Sequence, residues 1–236
     1  MTLDGKVAVI TGGTGNLGQT VTTRFVHAGA RVAVAFRSDA EWEALLAALP
    51  EGALPLGLKT DVTDEASVQH LMAETVSQLG SVDILLNLVG AYEADVDVWD
   101  TPIEAWQKML SLNLTSAFLC AKHALRHMVP QDFGRIVSVS SKVAEDLPVK
   151  SAPYAVAKAG VIALTKCMAA EVKGTNVAAM AIMPSVIDTP ATRKLFPKAP
   201  FEKFVKPEQI ADVLVWLSTQ DAGAVNGSIL QLYGGI

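Results

Sequence analysis

The apolar run Val7-Ala-Val-Ile10 passes directly into Thr11-Gly-Gly-Thr-Gly-Asn-Leu-Gly18, and this junction limits the fold more than any other part of the chain. A short, uninterrupted apolar run suits a strand covered on both faces, as in the middle of a parallel sheet. Leu17, Val21, Phe25 and Ala28 then recur at helical spacing, and Gly29 supplies a stop. The glycines allow a sharp turn and a close approach of backbone to a pyrophosphate. The helix N-terminus that follows offers free N–H groups and a partial positive charge to the same anion. A glycine turn without a ligand is the alternative.

Strand-like and helix-like segments go on alternating to the end of the chain. Val32–Phe36 reads as a second strand, followed by a short helix at about 39–48 and a third strand near 53–58. Val68, Leu71, Met72, Val76 and Leu79 form one apolar helical stripe, with Thr63 or Asp64 as its cap and Gly80 beyond its end. Val82–Leu88 is the fourth strand. Thr101-Pro-Ile-Glu104 predicts the start of a long helix: threonine as cap, proline at the first helical position, glutamate completing a capping box. That helix is expected to run to about 129. Arg135–Ser140, a helix at about 151–173, Val177–Met183, a helix from Pro207 to about 217 and Ser228–Leu232 complete the series. Such alternation predicts one α/β domain over residues 1–236, a doubly wound parallel β-sheet flanked by helices on both faces. The stretch 184–206 holds four prolines and is either a flap over a site or a surface connection.

Half of the 236 residues are apolar and 18% are charged, enough for a large core. The net charge of −5 gives no basic face for nucleic acid. No basic segment with an apolar stretch precedes Val7 and no run of about 18 apolar residues appears, so neither a signal peptide nor a membrane span is expected. The two cysteines, Cys120 and Cys167, fall in helical stretches without Cys-x-x-Cys spacing, which predicts buried thiols in a reducing cytoplasm.

The turn Thr11-Gly12-x-x-x-Asn16-x-Gly18 resembles that of the short-chain dehydrogenases/reductases, with Asn16 where the family has its middle glycine. Asparagine tolerates positive φ, so the turn is expected to survive with a side chain added near the phosphates. The resemblance implies that Thr11, Gly12, Thr14, Asn16, Leu17 and Gly18 bind a dinucleotide. It also puts the residue that selects the unphosphorylated form at Phe36, which cannot chelate ribose hydroxyls. Arg37 follows, and a guanidinium suits a 2′-phosphate, so the implied cofactor is NADP, with NAD as the alternative. Asp61 and Val62 match the adenine-contacting position. Asn87-Leu-Val-Gly90 resembles the family's Asn-Asn-Ala-Gly, with Asn87 and Gly90 kept and Leu88 and Val89 departing.

Carbonyl–alcohol interconversion also needs a proton donor near neutral pH. Tyr154-Ala-Val-Ala-Lys158 puts an ammonium one helical turn from a phenol, where it favours phenolate. The family's tetrad maps onto Asn113, Ser141, Tyr154 and Lys158, with Ser140 a rival for Ser141. The resemblance implies that Tyr154 exchanges the proton and that Lys158 lowers its pKa and binds the nicotinamide ribose. It also implies that Ser141 holds the reacting oxygen and that Asn113 holds a water leading to Lys158. Pro184-Ser-Val-Ile-Asp-Thr189 resembles the family's nicotinamide-side segment and implies contacts from Pro184, Ile187 and Thr189, with Ser185 replacing a glycine. The family also implies a homo-oligomer, a tetramer or dimer, joined through the helices carrying Asn113 and Tyr154, with Ala155, Ala159 and Ala163 as a close-contact face.

The expected activity is hydride transfer between NADP(H) and a small carbonyl or alcohol substrate. A catalytically silent NAD(P)-binding sensor, and an epimerase or dehydratase on the same fold, are the alternatives. His123 and His127 have zinc-compatible spacing but no third ligand, so they read as a solvated or interface face and no metal is expected. Glu93, Asp95, Asp97 and Asp100 read as a solvated acidic loop. Trp99 and Trp106 lie near it, as pocket or core residues.

Overall fold

A computed structural model, which describes residues 1–235, contains a seven-stranded sheet in the order β3-β2-β1-β4-β5-β6-β7, with every adjacent pair parallel. In chain order the elements are β1 (Val7–Thr11), α1 (Asn16–His27), β2 (Arg31–Phe36), α2 (Asp39–Ala48), β3 (Leu56–Lys59), α3 (Glu65–Leu79) and β4 (Ile84–Asn87). The second half comprises α4 (Ile103–Leu110), α5 (Ser116–Met128), β5 (Gly134–Val139), α6 (Val143–Asp146), α7 (Ala152–Glu171), β6 (Val177–Pro184), α8 (Pro190–Leu195), α9 (Pro207–Leu217) and β7 (Ile229–Leu232). The doubly wound sheet expected from the alternation is present.

Strand periodicity divides the core between the two faces. Ala8 and Ile10, Val32 and Val34, Ile84 and Leu86, and Met180 and Ile182 point to one face, against Phe25 of α1, Leu45 of α2 and Leu214 of α9. Val9, Ala33, Leu85, Ile136 and Ala179 point to the other, against Leu71 of α3, Ala124 of α5 and Met168 of α7. The strand order reverses beside β1, where neighbouring connections leave on opposite faces and a crevice opens at the strands' carboxyl ends.

Three local expectations are corrected. The third strand begins at Leu56, not near residue 53. The long helix is not continuous: a π-helical turn, Ser111–Thr115, separates α4 from α5. The capping box at its start is absent. The Thr101 hydroxyl donates to the Asp97 carbonyl at 2.9 Å, closing the 3₁₀ turn Val98–Asp100, and α4 begins at Ile103 without a side-chain cap. Elsewhere the caps agree with the sequence. Asp64 accepts from Ser67 N–H at the head of α3, and Gly80 ends it in the left-handed conformation.

Arg135, the second residue of β5, is almost completely buried. Its guanidinium donates to the carbonyls of Gly134, Asn176, Thr219 and Gln220 at 2.6–2.9 Å. The segment 184–206 is a hydrogen-bonded connection rather than a free flap. Ile187 bridges Val205 in parallel, Asp188 pairs with both nitrogens of the Arg193 fork, and Gly235 N–H donates to the Lys203 carbonyl. Among the described residues no helix is long and apolar enough to cross a membrane.

Candidate active site

The site lies in the crevice beside β1. A groove of about 400 Å³ runs along the carboxyl ends of β1, β2 and β4. It collects Gly12, Thr14, Asn16, Leu17 and Gly18 from the glycine turn, Arg37 from the end of β2, Asp61 and Val62 from after β3, and Gly90 from after β4. Nine of the sequence-predicted dinucleotide residues therefore share one surface.

The turn closes for a reason other than the one expected. Its positive-φ residue is Gly12, at +69°, whereas Asn16 is the first residue of α1 and is absent from the positive-φ residues. The Asn16 substitution therefore needs no left-handed backbone, and its exposed side chain stands at the helix N-terminus. Gly18 is required by proximity: a Cβ there would lie 2.0 Å from the Gly12 carbonyl oxygen.

Thr11 and Asn87 are buried beneath the groove rather than lining it. Thr11 Oγ1 donates to the Leu86 carbonyl at 3.3 Å, and Asn87 Nδ2 donates to Ser138 Oγ at 3.1 Å. Asn87 Oδ1 has no hydrogen-bond partner among the described residues. A buried acceptor left unpaired is costly, and a ligand hydroxyl would satisfy it. That orphan, the cradle at Gly18 and the helix N-terminus beyond fit a ribose and a pyrophosphate.

Asp61 is held below the usual carboxylate range, first by the Thr63 hydroxyl bonded to it at 2.6 Å, then by the Thr63 N–H, with the Arg37 charge adding to both. Arg37 therefore faces the same groove as Asp61. Sequence reasoning missed Glu41, an exposed α2 residue that also lines this groove and accepts from Thr14 Oγ1 at 3.1 Å. Beneath it, Trp42 stacks on Phe36 with ring centroids 5.1 Å apart and planes 10° apart. Phe36, read only as the wrong residue for ribose, thus anchors α2.

Gly90 joins the groove to the reactive groups: a Cβ there would meet Asn113 Oδ1 at 2.7 Å and Lys158 Nζ at 3.2 Å. Asn113 is buried at the centre of the π-helical turn. It donates to the Ala91 and Met109 carbonyls, both at 3.0 Å, and accepts from Ala91 N–H at 3.1 Å. The extra residue in the helix turns this amide onto the loop after β4, a device frequent at functional sites.

Lys158 and Tyr154 lie on one face of α7, with the ammonium 5.8 Å from the ring centroid. Lys158 is buried, donates to the Val139 carbonyl at 2.8 Å, and burial lowers its pKa to about 8. The phenol departs from expectation. Burial pushes the Tyr154 pKa up; a hydrogen bond with Ser141 opposes that push, and Tyr92 adds to it. Burial is the largest cause, and the Ser141 hydrogen bond, not the Lys158 ammonium, is what opposes it. Tyr92, also missed from sequence, stands edge-on to Tyr154 with centroids 5.0 Å apart. Ser140, the rival serine, is excluded from the reactive group, because its hydroxyl donates to the Lys158 carbonyl at 2.9 Å.

Pro184, Ile187 and Thr189 lie outside the groove's lining. Pro184 ends β6, its carbonyl accepting from Lys142 N–H. Ile187 O accepts from Thr192 Oγ1, and Thr189 caps α8 through a reciprocal bond with Thr192. Ser185 is absent from the positive-φ residues, and its N–H and hydroxyl donate to the carbonyls of Leu232 and Tyr233. His123 is not a solvated helix residue: it is buried and its Nε2 lies 3.1 Å from Glu65 Oε1. Cys120 is buried, its thiol raised to about 12, but Cys167 is exposed, contrary to expectation. Trp99 is 82% exposed and forms no part of a pocket wall.

A family profile described as short chain dehydrogenase matches residues 6–200. The cis-4-hydroxycyclohexanecarboxylate dehydrogenase of Sinomonas cyclohexanicum is 32% identical, over 98% of this chain and 96% of its own. The 3-oxoacyl-[acyl-carrier-protein] reductase of Thermotoga maritima is also 32% identical, over 100% of this chain and 99% of its own. Among solved structures, levodione reductase superposes with a TM-score of 0.91 at 27% identity, covering 98% of this chain and 97% of that one. The chain belongs to the short-chain dehydrogenases/reductases, and it is an oxidoreductase of that family.

Proposed function

We propose that this protein transfers hydride between NADP(H) and a small carbonyl or alcohol, with Tyr154 as the general acid and base. The observation that carries the reading is the convergence of Tyr154, Ser141 and Lys158 where the groove ends at Gly90. The bound dinucleotide supplies the hydride. Tyr154 gives its proton to the carbonyl oxygen in reduction and takes it back in oxidation. The Ser141 hydroxyl donates to the same oxygen and holds it beside the phenol. Lys158 binds the nicotinamide ribose and brings the positive charge that favours phenolate during proton transfer. Asn113 supports a water between Lys158 and solvent. Pro184, Ile187 and Thr189 contact the nicotinamide side, Thr11, Asn87 and Gly90 the riboses, and Arg37 the 2′-phosphate, which gives NADP the preference over NAD.

The relatives act, by their names, on cis-4-hydroxycyclohexanecarboxylate and on a 3-oxoacyl-[acyl-carrier-protein], and the substrate proposed here is a small carbonyl or alcohol. By the same reading the protein is cytoplasmic and a homo-oligomer, a tetramer or dimer joined through α5 and α7; exposed Phe118 and Val156 on those helices support the contact. Residues 1–236 act as a single catalytic domain.

The test is NADPH oxidation over a panel of ketones, quinones, pterins and acyl thioesters. Tyr154→Phe is expected to lower turnover by about 10²–10⁴-fold while leaving NADPH binding nearly intact. Full activity in that variant would remove Tyr154 from the mechanism. The raised pKa of Tyr154 favours a second reading, a silent NAD(P)-binding sensor. Tight NADPH binding with no oxidation across the panel would select it.

A further inference from the structure

The groove that carries the glycine turn also contains a carboxylate, that of Glu41. Glu41 Oε2 accepts from Thr14 Oγ1 at 3.1 Å, and Thr14, only 5% exposed, belongs to the glycine turn itself. The acid is fixed there from three sides. Ser38 caps α2 by accepting from Glu41 N–H, Trp42 beside it stacks on Phe36, and the same indole lies against Gly57 of β3. The helix cannot withdraw from the groove without breaking that stack. Arg37 lines the groove four residues earlier, and among the described residues neither Arg37 nor Glu41 has an ion-pair partner within 4.0 Å. Two opposite charges, neither in a close ion pair, therefore line one groove, with Asp61 near enough to feel the guanidinium.

A carboxylate only accepts hydrogen bonds at neutral pH, so it pairs with ribose hydroxyls and repels a phosphate. A guanidinium does the reverse. We propose that Glu41 is a selectivity residue of this groove: it accepts from the adenosine ribose hydroxyls of the unphosphorylated dinucleotide and opposes the 2′-phosphate, so that Arg37 and Glu41 set the choice of cofactor in opposite senses. This rests on reading the groove as the dinucleotide site. It departs from the expectation that Arg37 alone decides the preference. The position vacated by the missing acid at Phe36 is served from the next helix instead.

The experiment is a fluorescence titration of the full chain with NADPH and with NADH, for wild type, Glu41→Gln, Glu41→Ala and Arg37→Gln, each checked for an unchanged melting curve. Glu41→Gln removes the charge and keeps the size. It is expected to tighten NADPH about tenfold, the effect of one unit charge on a nearby doubly charged phosphate in water. NADH is expected to stay the same or weaken, and the gain for NADPH to shrink as salt is raised. Arg37→Gln should weaken NADPH and spare NADH. An unchanged NADPH-to-NADH ratio in Glu41→Gln and Glu41→Ala, or a shift toward NADH, overturns the role of Glu41. Arg37→Gln leaving NADPH binding unchanged overturns the opposed pair. Failure of the wild type to bind either dinucleotide overturns the groove assignment itself, and this proposal with it.

Discussion

Lys158 is the residue whose burial is most exposed to test by pH. Its pKa falls to about 8 in the folded chain from an ordinary value of 10.5. The fold therefore binds fewer protons than the unfolded chain between those values, so stability rises with pH across that window and the full penalty remains below pH 8. Urea melts of wild type and Lys158→Met at pH 7 and pH 10 should differ by up to about 3 kcal/mol more in favour of wild type at the higher pH. A pH-independent difference would mean that the ammonium is solvated. At Gly18 the constraint is steric: a methyl group would lie 2.0 Å from a backbone oxygen, which no side-chain rotation relieves. Gly18→Ala, checked for folding by circular dichroism, should lose at least about tenfold in NADPH affinity by titration.

The motif Tyr154-x-x-x-Lys158 was legible because helical spacing fixes neighbours without reference to the rest of the fold. The direction of the phenol's pKa was not. It depends on burial by the folded chain and on an electrostatic interaction with Tyr92, 62 positions earlier.

Strands and helices with strong apolar periodicity were legible as elements: β1, β2, α3, β6 and α9 fall within a residue or two of their expected bounds. The helix through Asn113 was misjudged because the pattern carries no sign of the π turn, which is stabilised by bonds to Ala91, 22 residues away. The Thr101 cap failed for a similar reason, since a competing acceptor, the Asp97 carbonyl, lies on the other side of the threonine. Arg135 carries the clearest prediction at this scale. Arg135→Leu would take the donor from four carbonyls at the amino end of the sheet, that of Gly134 buried and those of Asn176, Thr219 and Gln220 part-buried, between β5, β6 and the end of α9. It should lower the unfolding free energy by about 3 kcal/mol or more, read from the urea midpoint. A loss below about 1 kcal/mol would mean that water replaces the guanidinium.

The whole molecule binds its cofactor only when folded, because the groove draws on β1, β2, β4 and the turns after β3. Binding therefore adds to stability by mass action. At one hundred times the dissociation constant it adds about 2.7 kcal/mol, which raises the melting temperature of a chain this size by roughly 5–10 °C. NADPH should produce that rise in wild type and in Tyr154→Phe, and little of it in Gly18→Ala. An equal rise in all three would place binding elsewhere.

What the amino-acid order alone determined is whatever depends on local period and local chemistry. The apolar run before the glycine turn, the strand–helix alternation and the Tyr154–Lys158 pair all act over a few residues. Only the tertiary structure decided which charges meet. Glu41 reaches Thr14 because Trp42 finds Phe36, Asn87 is left with an unpaired acceptor because Ser138 takes only its amide, and Tyr92 meets Tyr154 across the crevice. Those contacts join segments distant in the chain, and their energies depend on burial, which no local pattern encodes.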